Sequence, residues 1–212
     1  MEPTESTVQV PAGGVRLPGI LGLPATARGI ILFAHGSGSG RLSPRNNAVA
    51  RWLQRAGFAT LLLDLLTEPE SLDRSLVFDI GFLADRLRSA TEWAAWESST
   101  AGLPAAYFGA STGGGAALVA AAREGAEIRA VVSRGGRPDL AGASLEAVRA
   151  PTLLIVGGTD RDVLLLNEWA LERLSGIKRL EVVPGATHLF EEPGALDQVC
   201  SLATEWFLTY VS

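Results

Sequence analysis

Short, wholly apolar runs alternate with longer amphipathic stretches along almost the entire chain, and few folds accommodate that alternation. Ile30–Ala34, Phe58–Leu63, Ala105–Phe108, Ala130–Val132, Thr152–Val156 and Leu180–Val183 are apolar at most consecutive positions, as expected of strands covered on both faces. Between them Leu76, Ile80, Leu83, Leu87, Ala90 and Ala94 recur at spacings of three and four, and Leu196, Val199, Cys200, Ala203 and Phe207 repeat the pattern near the C-terminus. Each set predicts one apolar helix face. Strand alternating with helix predicts a mostly parallel sheet of about eight strands with helices on both sides. Glycine and proline at Gly36, Gly57, Gly109, Gly135-Gly136, Gly157-Gly158 and Pro184-Gly185 punctuate the joints. The Gly/Pro-rich segment Val8–Pro24 is expected to form one or two antiparallel edge strands before the parallel sheet begins.

No repeat or compositional shift divides residues 1–212, so one domain is expected. A chain of 212 residues buries roughly 70% of the surface it exposes when unfolded, enough for a core without staples. The single cysteine, Cys200, excludes a disulfide framework and a cysteine-ligated metal site. Eighteen basic against 23 acidic residues give a net charge of −5, which speaks against nucleic acid or an anionic membrane as the main partner. Met1–Val10 carries Glu2 and Glu5 and lacks a basic segment followed by an apolar run, and no stretch reaches the apolar length of a membrane span. A cytoplasmic location is the resulting expectation.

The most informative stretch is Gly109-Ala110-Ser111-Thr112-Gly113, placed between the expected strand Ala105–Phe108 and the helix-like run that begins at Gly114. A serine presented on a sharp strand-to-helix turn needs minimal side chains two positions before and two after, because strand and helix backbones pass close together there. Composition alone yields about 0.2 such Gly-x-Ser-x-Gly matches in a chain like this; the flanking strand and helix raise its weight. A serine nucleophile needs a base, and the chain has two histidines. In the elbow arrangement the order along the chain is serine, acid, histidine, so His188, on the loop after the last strand, qualifies, while His35 is read as a structural anchor of its own loop. Between them, at the end of the strand Thr152–Val156, Asp160 is the first choice for the acid and Asp162 the alternative. Asp139 is a third candidate, better read as a turn or helix-capping residue.

The developing oxyanion needs backbone donors. The N–H of Thr112 is one; the other is expected from His35-Gly36-Ser37-Gly38-Ser39-Gly40, with Ser37 ahead of Gly38. A dinucleotide cradle in that loop is disfavoured, since Arg41 stands where a third glycine or alanine belongs, and no Gly-Lys-Ser/Thr follows. No cofactor and no metal are expected.

Taken together, His35-Gly36-Ser37-Gly38, Gly109-Ala110-Ser111-Thr112-Gly113, Gly158-Thr159-Asp160 and Gly185-Ala186-Thr187-His188 resemble the α/β-hydrolase superfamily over about residues 30–210. The short length is similar to its dienelactone hydrolase-like branch. The resemblance implies a three-layer α/β-hydrolase fold, Ser111 as nucleophile, His188 as base, Asp160 as acid and no cofactor. Dienelactone hydrolases proper use a cysteine where this chain has Ser111, so the expectation is a serine esterase rather than dienelactone turnover.

Many members of the superfamily insert a helical cap after the strand corresponding to Ala130–Val132. Ser133–Pro151 is long enough only for a loop and one short helix, so no cap domain is expected and the site should be open. An open site favours small-molecule, short-acyl esters over long-chain lipids. Arg134 and Arg137 lie at the ligand-binding sheet edge, where they either bind an acidic substrate or cap carbonyls and pair with Asp139. Trp52, Trp93, Trp169 and Trp206 are read as helix-to-sheet packing, with Trp96 partly exposed. Two further readings stand beside the esterase: acyl transfer or perhydrolysis on the same triad, and a non-catalytic ligand-binding protein on the same fold. Oligomeric state is not legible.

Overall fold

The computed structural model describes residues 3–124 and 127–211; Met1 and Glu2, the start of the stretch read for a leader, lie outside it. The chain opens with β1 (Thr4–Ala12) and β2 (Val15–Leu23), followed by β3 (Ile30–Ala34), α1 (Pro44–Arg55) and β4 (Ala59–Leu63). Two single-turn helices, α2 (Glu68–Ser71) and α3 (Arg74–Val77), precede the long α4 (Ile80–Trp96). β5 (Ala105–Ala110), α5 (Thr112–Glu124), β6 (Ile128–Arg134), a 3-10 segment (Pro138–Ala147), β7 (Thr152–Gly157), α6 (Arg161–Arg173), β8 (Lys178–Val183) and α7 (Ala195–Tyr210) complete it.

The eight strands form one sheet in the order β1-β2-β4-β3-β5-β6-β7-β8. β2 runs antiparallel to both neighbours, and every pair from β4 to β8 is parallel. β3, β4 and β7 are buried at every position, which is why their sequences show no alternation. Two apolar layers flank them. α4, α5 and the 3-10 segment cover one face through Leu83, Leu87, Leu118 and Leu145; α1 and α7 cover the other through Val49, Leu53, Val199 and Phe207. The order reverses between β3, which leads to β4, and β5, which leads to β6. At such a reversal the loops leaving the carboxyl ends of adjacent strands diverge and open a crevice.

Three expectations are corrected. The N-terminal segment forms a full hairpin that starts at Thr4, and only β1 lies at the edge; β2 is internal, paired with β4 through Gly19–Gly22. The apolar face beginning at Leu76 is two helices, because the Asp79 carboxylate accepts the Phe82 N–H and caps α4 afresh, leaving Leu76 in α3. The tryptophans are less buried than packing predicts: Trp206 is buried and donates to the Pro151 carbonyl, whereas Trp169 is 37% exposed beneath the Arg173 guanidinium and Trp96 is 88% exposed. Helical spacing places a tryptophan on a stripe, but the width of the contact decides how much of the indole it covers.

Candidate active site

Ser111 sits between the last residue of β5 and the first of α5 with φ +52°, one of two non-glycine residues in the left-handed region among those described. That conformation is strained for a serine and persists only where surrounding contacts impose it. Here the imposing contacts are backbone. A Cβ on Gly109 would stand 2.6 Å from the Gly113 carbonyl oxygen, and one on Gly113 would run into the Ala34 carbonyl. The turn is further tied down by Ser111 N–H donating to the Arg134 carbonyl (3.3 Å) and Arg137 N–H donating to the Ser111 carbonyl (3.0 Å). Half-buried at the crevice between β3 and β5, the Ser111 side chain faces Gly36, where a Cβ would come within 2.8 Å of Ser111 Cβ.

His188 lies on the β8–α7 loop, and its Nδ1 is 2.7 Å from Asp160 Oδ2. Asp160 is the N-cap residue of α6, yet its side chain makes no capping bond. The carboxylate is engaged by the imidazole instead. Thr159 binds the two loops together, its N–H (3.0 Å) and hydroxyl (2.7 Å) both donating to the Ala186 carbonyl. His188 approaches the Ser111 turn across Gly135, where a Cβ would lie 3.5 Å from His188 Cε1. The Ser111 hydroxyl forms no hydrogen bond among the described residues, as is common before a substrate tightens such a site. Asp162 is exposed in the first turn of α6, and Asp139 forms a two-point pair with Arg137 at 2.8 Å through each bond.

His35 differs sharply. It is buried at the end of β3, its Nε2 accepts the Leu65 N–H (2.9 Å), and its Nδ1 is 2.9 Å from the Gly36 carbonyl. The proton therefore sits on Nδ1. Burial holds its pKa below the ordinary histidine value, outweighing the Gly36 carbonyl and the Asp64 charge that favour the imidazolium. In the same loop the Ser37 N–H donates to Thr112 Oγ1 (3.0 Å), while Gly38 is exposed. Arg134 ends β6 as a buried side chain whose one contact to an acceptor among the described residues is Asn46 Oδ1 at 3.4 Å. Desolvation lowers its pKa to about 10, helped by the neighbouring Arg45.

One feature of the site escaped sequence reading. A cavity of about 680 Å³ lies beside the Ser111 turn, bounded by the Gly36–Leu42 loop, Thr112 and the connection from Asp64 to Val77. No cap is inserted between β6 and β7 among the described residues, but this β4–α4 connection supplies a wall that the cap-free reading lacked. Asp64, directly after the apolar run of β4, organises it: Oδ1 accepts the Arg41 N–H (2.6 Å), and Oδ2 accepts from the Arg41 guanidinium. A charged residue directly after a buried, mostly apolar strand was the available signal. Among the described residues no group of three or more His, Cys, Asp or Glu is placed to hold a metal.

The strand order, the left-handed serine after β5 and the Asp-bound histidine after β8 are the arrangement of an α/β hydrolase. No protein-family model matches the chain. A dienelactone hydrolase from Anabaena variabilis is 58% identical, with full coverage of both chains and a TM-score of 0.97. The esterase domain of a Rhodothermus marinus protein shares the fold at 20% identity and a TM-score of 0.79, over 99% of this chain and all of that one. Curated relatives from two Mycobacterium tuberculosis strains, provisionally named phosphoribosyl transferases, are 59% identical over 98% of this chain and 47% of their own length. The chain thus spans about half the length of the curated relatives it matches. It belongs to the dienelactone hydrolase-like branch of the α/β-hydrolase superfamily. Fold and neighbours together support a hydrolase, and no helix among the described residues is long and apolar enough to cross a membrane.

Proposed function

We infer that this protein is a serine esterase acting on small, short-acyl carboxylic esters through an acyl-enzyme. Ser111 attacks the ester carbonyl while His188 takes the hydroxyl proton, and Asp160 holds the imidazole through Nδ1 and stabilises its charged form. Collapse of the tetrahedral intermediate releases the alcohol, which receives that proton from His188. Water then attacks the acyl-enzyme with His188 again as base, freeing the acid and restoring Ser111. The backbone N–H of Thr112, at the start of α5, faces the developing oxyanion, beside the β3–α1 loop that carries Ser37.

The observation that carries this reading is Ser111 held at φ +52° by the glycine contacts around it. Strain of this kind is retained where presenting the side chain matters. Short acyl groups are favoured because the cavity wall is mixed, with the Arg41–Asp64 ion pair among Leu66, Val77 and Leu83. The transferase name of the curated relatives describes chains of which more than half lies outside the match, and the Gly36–Gly40 loop here lacks both the third glycine of a dinucleotide cradle and the Gly-Lys-Ser/Thr of a phosphate loop.

The test is a fluorophosphonate probe followed by peptide mass spectrometry, with p-nitrophenyl esters from acetate to dodecanoate. Stoichiometric labelling at Ser111, lost in Ser111→Ala together with turnover, is expected, with acetate and butyrate esters turned over faster than long-chain ones. Absence of labelling in folded protein overturns the esterase reading.

A further inference from the structure

The Ser37 N–H, the expected second oxyanion donor, is already engaged. It donates to Thr112 Oγ1 at 3.0 Å across 75 residues of sequence. An N–H carries one proton, so it serves an oxyanion fully only by leaving the threonine. The threonine hydroxyl is in the opposite situation. It accepts from Ser37 and still has its own proton, and among the described residues that proton has no acceptor. Thr112 is 4% exposed and lines the cavity beside the nucleophile. A buried hydroxyl with an unspent proton, one residue from Ser111 and open to the substrate cavity, calls for an acceptor that arrives with the substrate.

We propose that Thr112 supplies two oxyanion donors, its backbone N–H and its side-chain hydroxyl, and that Ser37 N–H is the positioning group that aims the hydroxyl. This rests on the serine-esterase reading above. When Ser111 Oγ bonds to the carbonyl carbon, the π electrons move to the carbonyl oxygen. That oxygen then accepts hydrogen bonds from Thr112 N–H and Oγ–H, and no proton leaves Thr112. Accepting the Ser37 amide polarises the hydroxyl and makes it a stronger donor. Because the Ser37 contact uses the hydroxyl oxygen as acceptor and not its proton, the O–H can turn to the oxyanion with that contact kept, which holds the donor preorganised.

The alternative is that the hydroxyl merely anchors the Gly36–Arg41 loop. That loop is held without it. His35 bridges the Gly36 carbonyl and the Leu65 N–H, and Asp64 holds Arg41 through backbone and side chain. A Cβ on Gly40 would stand 2.6 Å from Asp64 Oδ1, so the loop also rests directly against that carboxylate.

Thr112→Val and Thr112→Ser, in the full chain, separate the readings. Val keeps the backbone N–H and the branched shape while removing the hydroxyl; Ser keeps the hydroxyl. With p-nitrophenyl acetate, Thr112→Val is expected to lose about 10²–10³-fold in kcat with KM little changed, the signature of a donor used in the transition state. Thr112→Ser should recover most of that loss. Hydrogen exchange of the residue 36–41 amides is expected to be unchanged in Thr112→Val, apart from Ser37 itself. Full activity in Thr112→Val, equal loss in both variants, or activity loss accompanied by faster exchange across the loop each overturns the proposal. Fluorophosphonate labelling of the wild-type protein, read in parallel, separates this from the underlying reading: an unlabelled wild type overturns both, whereas a labelled wild type matched by Thr112→Val overturns only the threonine donor.

Discussion

The two histidines stand at the same edge of one sheet and are bonded in opposite ways. Both ring nitrogens of His35 are satisfied by backbone groups, the Gly36 carbonyl and the Leu65 N–H, and burial keeps the ring neutral. His188 has a side chain 39% exposed, one nitrogen on a carboxylate, and its Nε2 without a hydrogen-bond partner among the described residues. A proton shuttle needs a nitrogen that is free on the substrate side and a partner that stabilises the charged ring; a structural histidine needs neither. Residue type does not separate the two roles. The partners left open by the fold do.

The comparison is most strongly tested at His188. Replacing it with glutamine should lower kcat on a short-acyl ester by on the order of 10⁴-fold or more, with the thermal midpoint nearly unchanged; comparable activity would place the proton transfer elsewhere. Next comes its partner. Asp160→Asn should cost about 10³–10⁴-fold in kcat because the amide no longer favours the tautomer that leaves Nε2 as acceptor, while Asp162→Asn, on the exposed first turn of α6, should stay within about twofold. Equal effects at the two aspartates would break the assignment of the acid.

At His35 the expectation reverses, from activity to stability. His35→Ala leaves the Leu65 N–H buried and unpaired, and should destabilise by about 2–4 kcal/mol in urea unfolding. The smallest effect is in the pH dependence. His35 has a folded pKa lowered by burial, so the unfolded chain binds the proton more readily. The stability due to the neutral ring is present above the unfolded pKa of about 6.5 and is lost as pH falls below it, with a slope of at most about 1.4 kcal/mol per pH unit. Urea midpoints between pH 7.5 and 5.5 should fall for the wild type and fall less steeply for His35→Ala; parallel slopes would assign the loss to other groups.

The arginines after β6 make a second, smaller comparison. Sequence places Arg134 and Arg137 three residues apart at the same edge and offers both the same two roles. In the fold Arg137 turns outward and pairs with Asp139, the second of the two roles its position offered. Arg134 points inward between α1 and α7, toward Asn46 and the Phe190 ring. Strand pleating separates them: Arg134 is the last residue in register with β5, opposite Ala110, so its side chain is committed to one face of the sheet, whereas Arg137 lies beyond the strand.

What the sequence determined by itself is local and steric. The alternation of apolar runs required a parallel sheet buried on both faces, and Gly109 and Gly113 around Ser111 required a turn in which nothing larger fits, because the colliding backbone lies within a few residues or in the adjoining strand. Chain order then pointed to His188. Tertiary structure decided the rest. Asp160 rather than Asp162 meets the imidazole because the end of β7 and the β8–α7 loop pack together through Thr159 and Ala186. The Asp64–Val77 connection walls a cavity only because β4 lies beside β3 in the sheet. Ser37 and Thr112 meet because the sheet order reverses between β3 and β5. Those pairings depend on strand order and register, which are set by how the whole core closes and leave no mark on the residues that end up in contact.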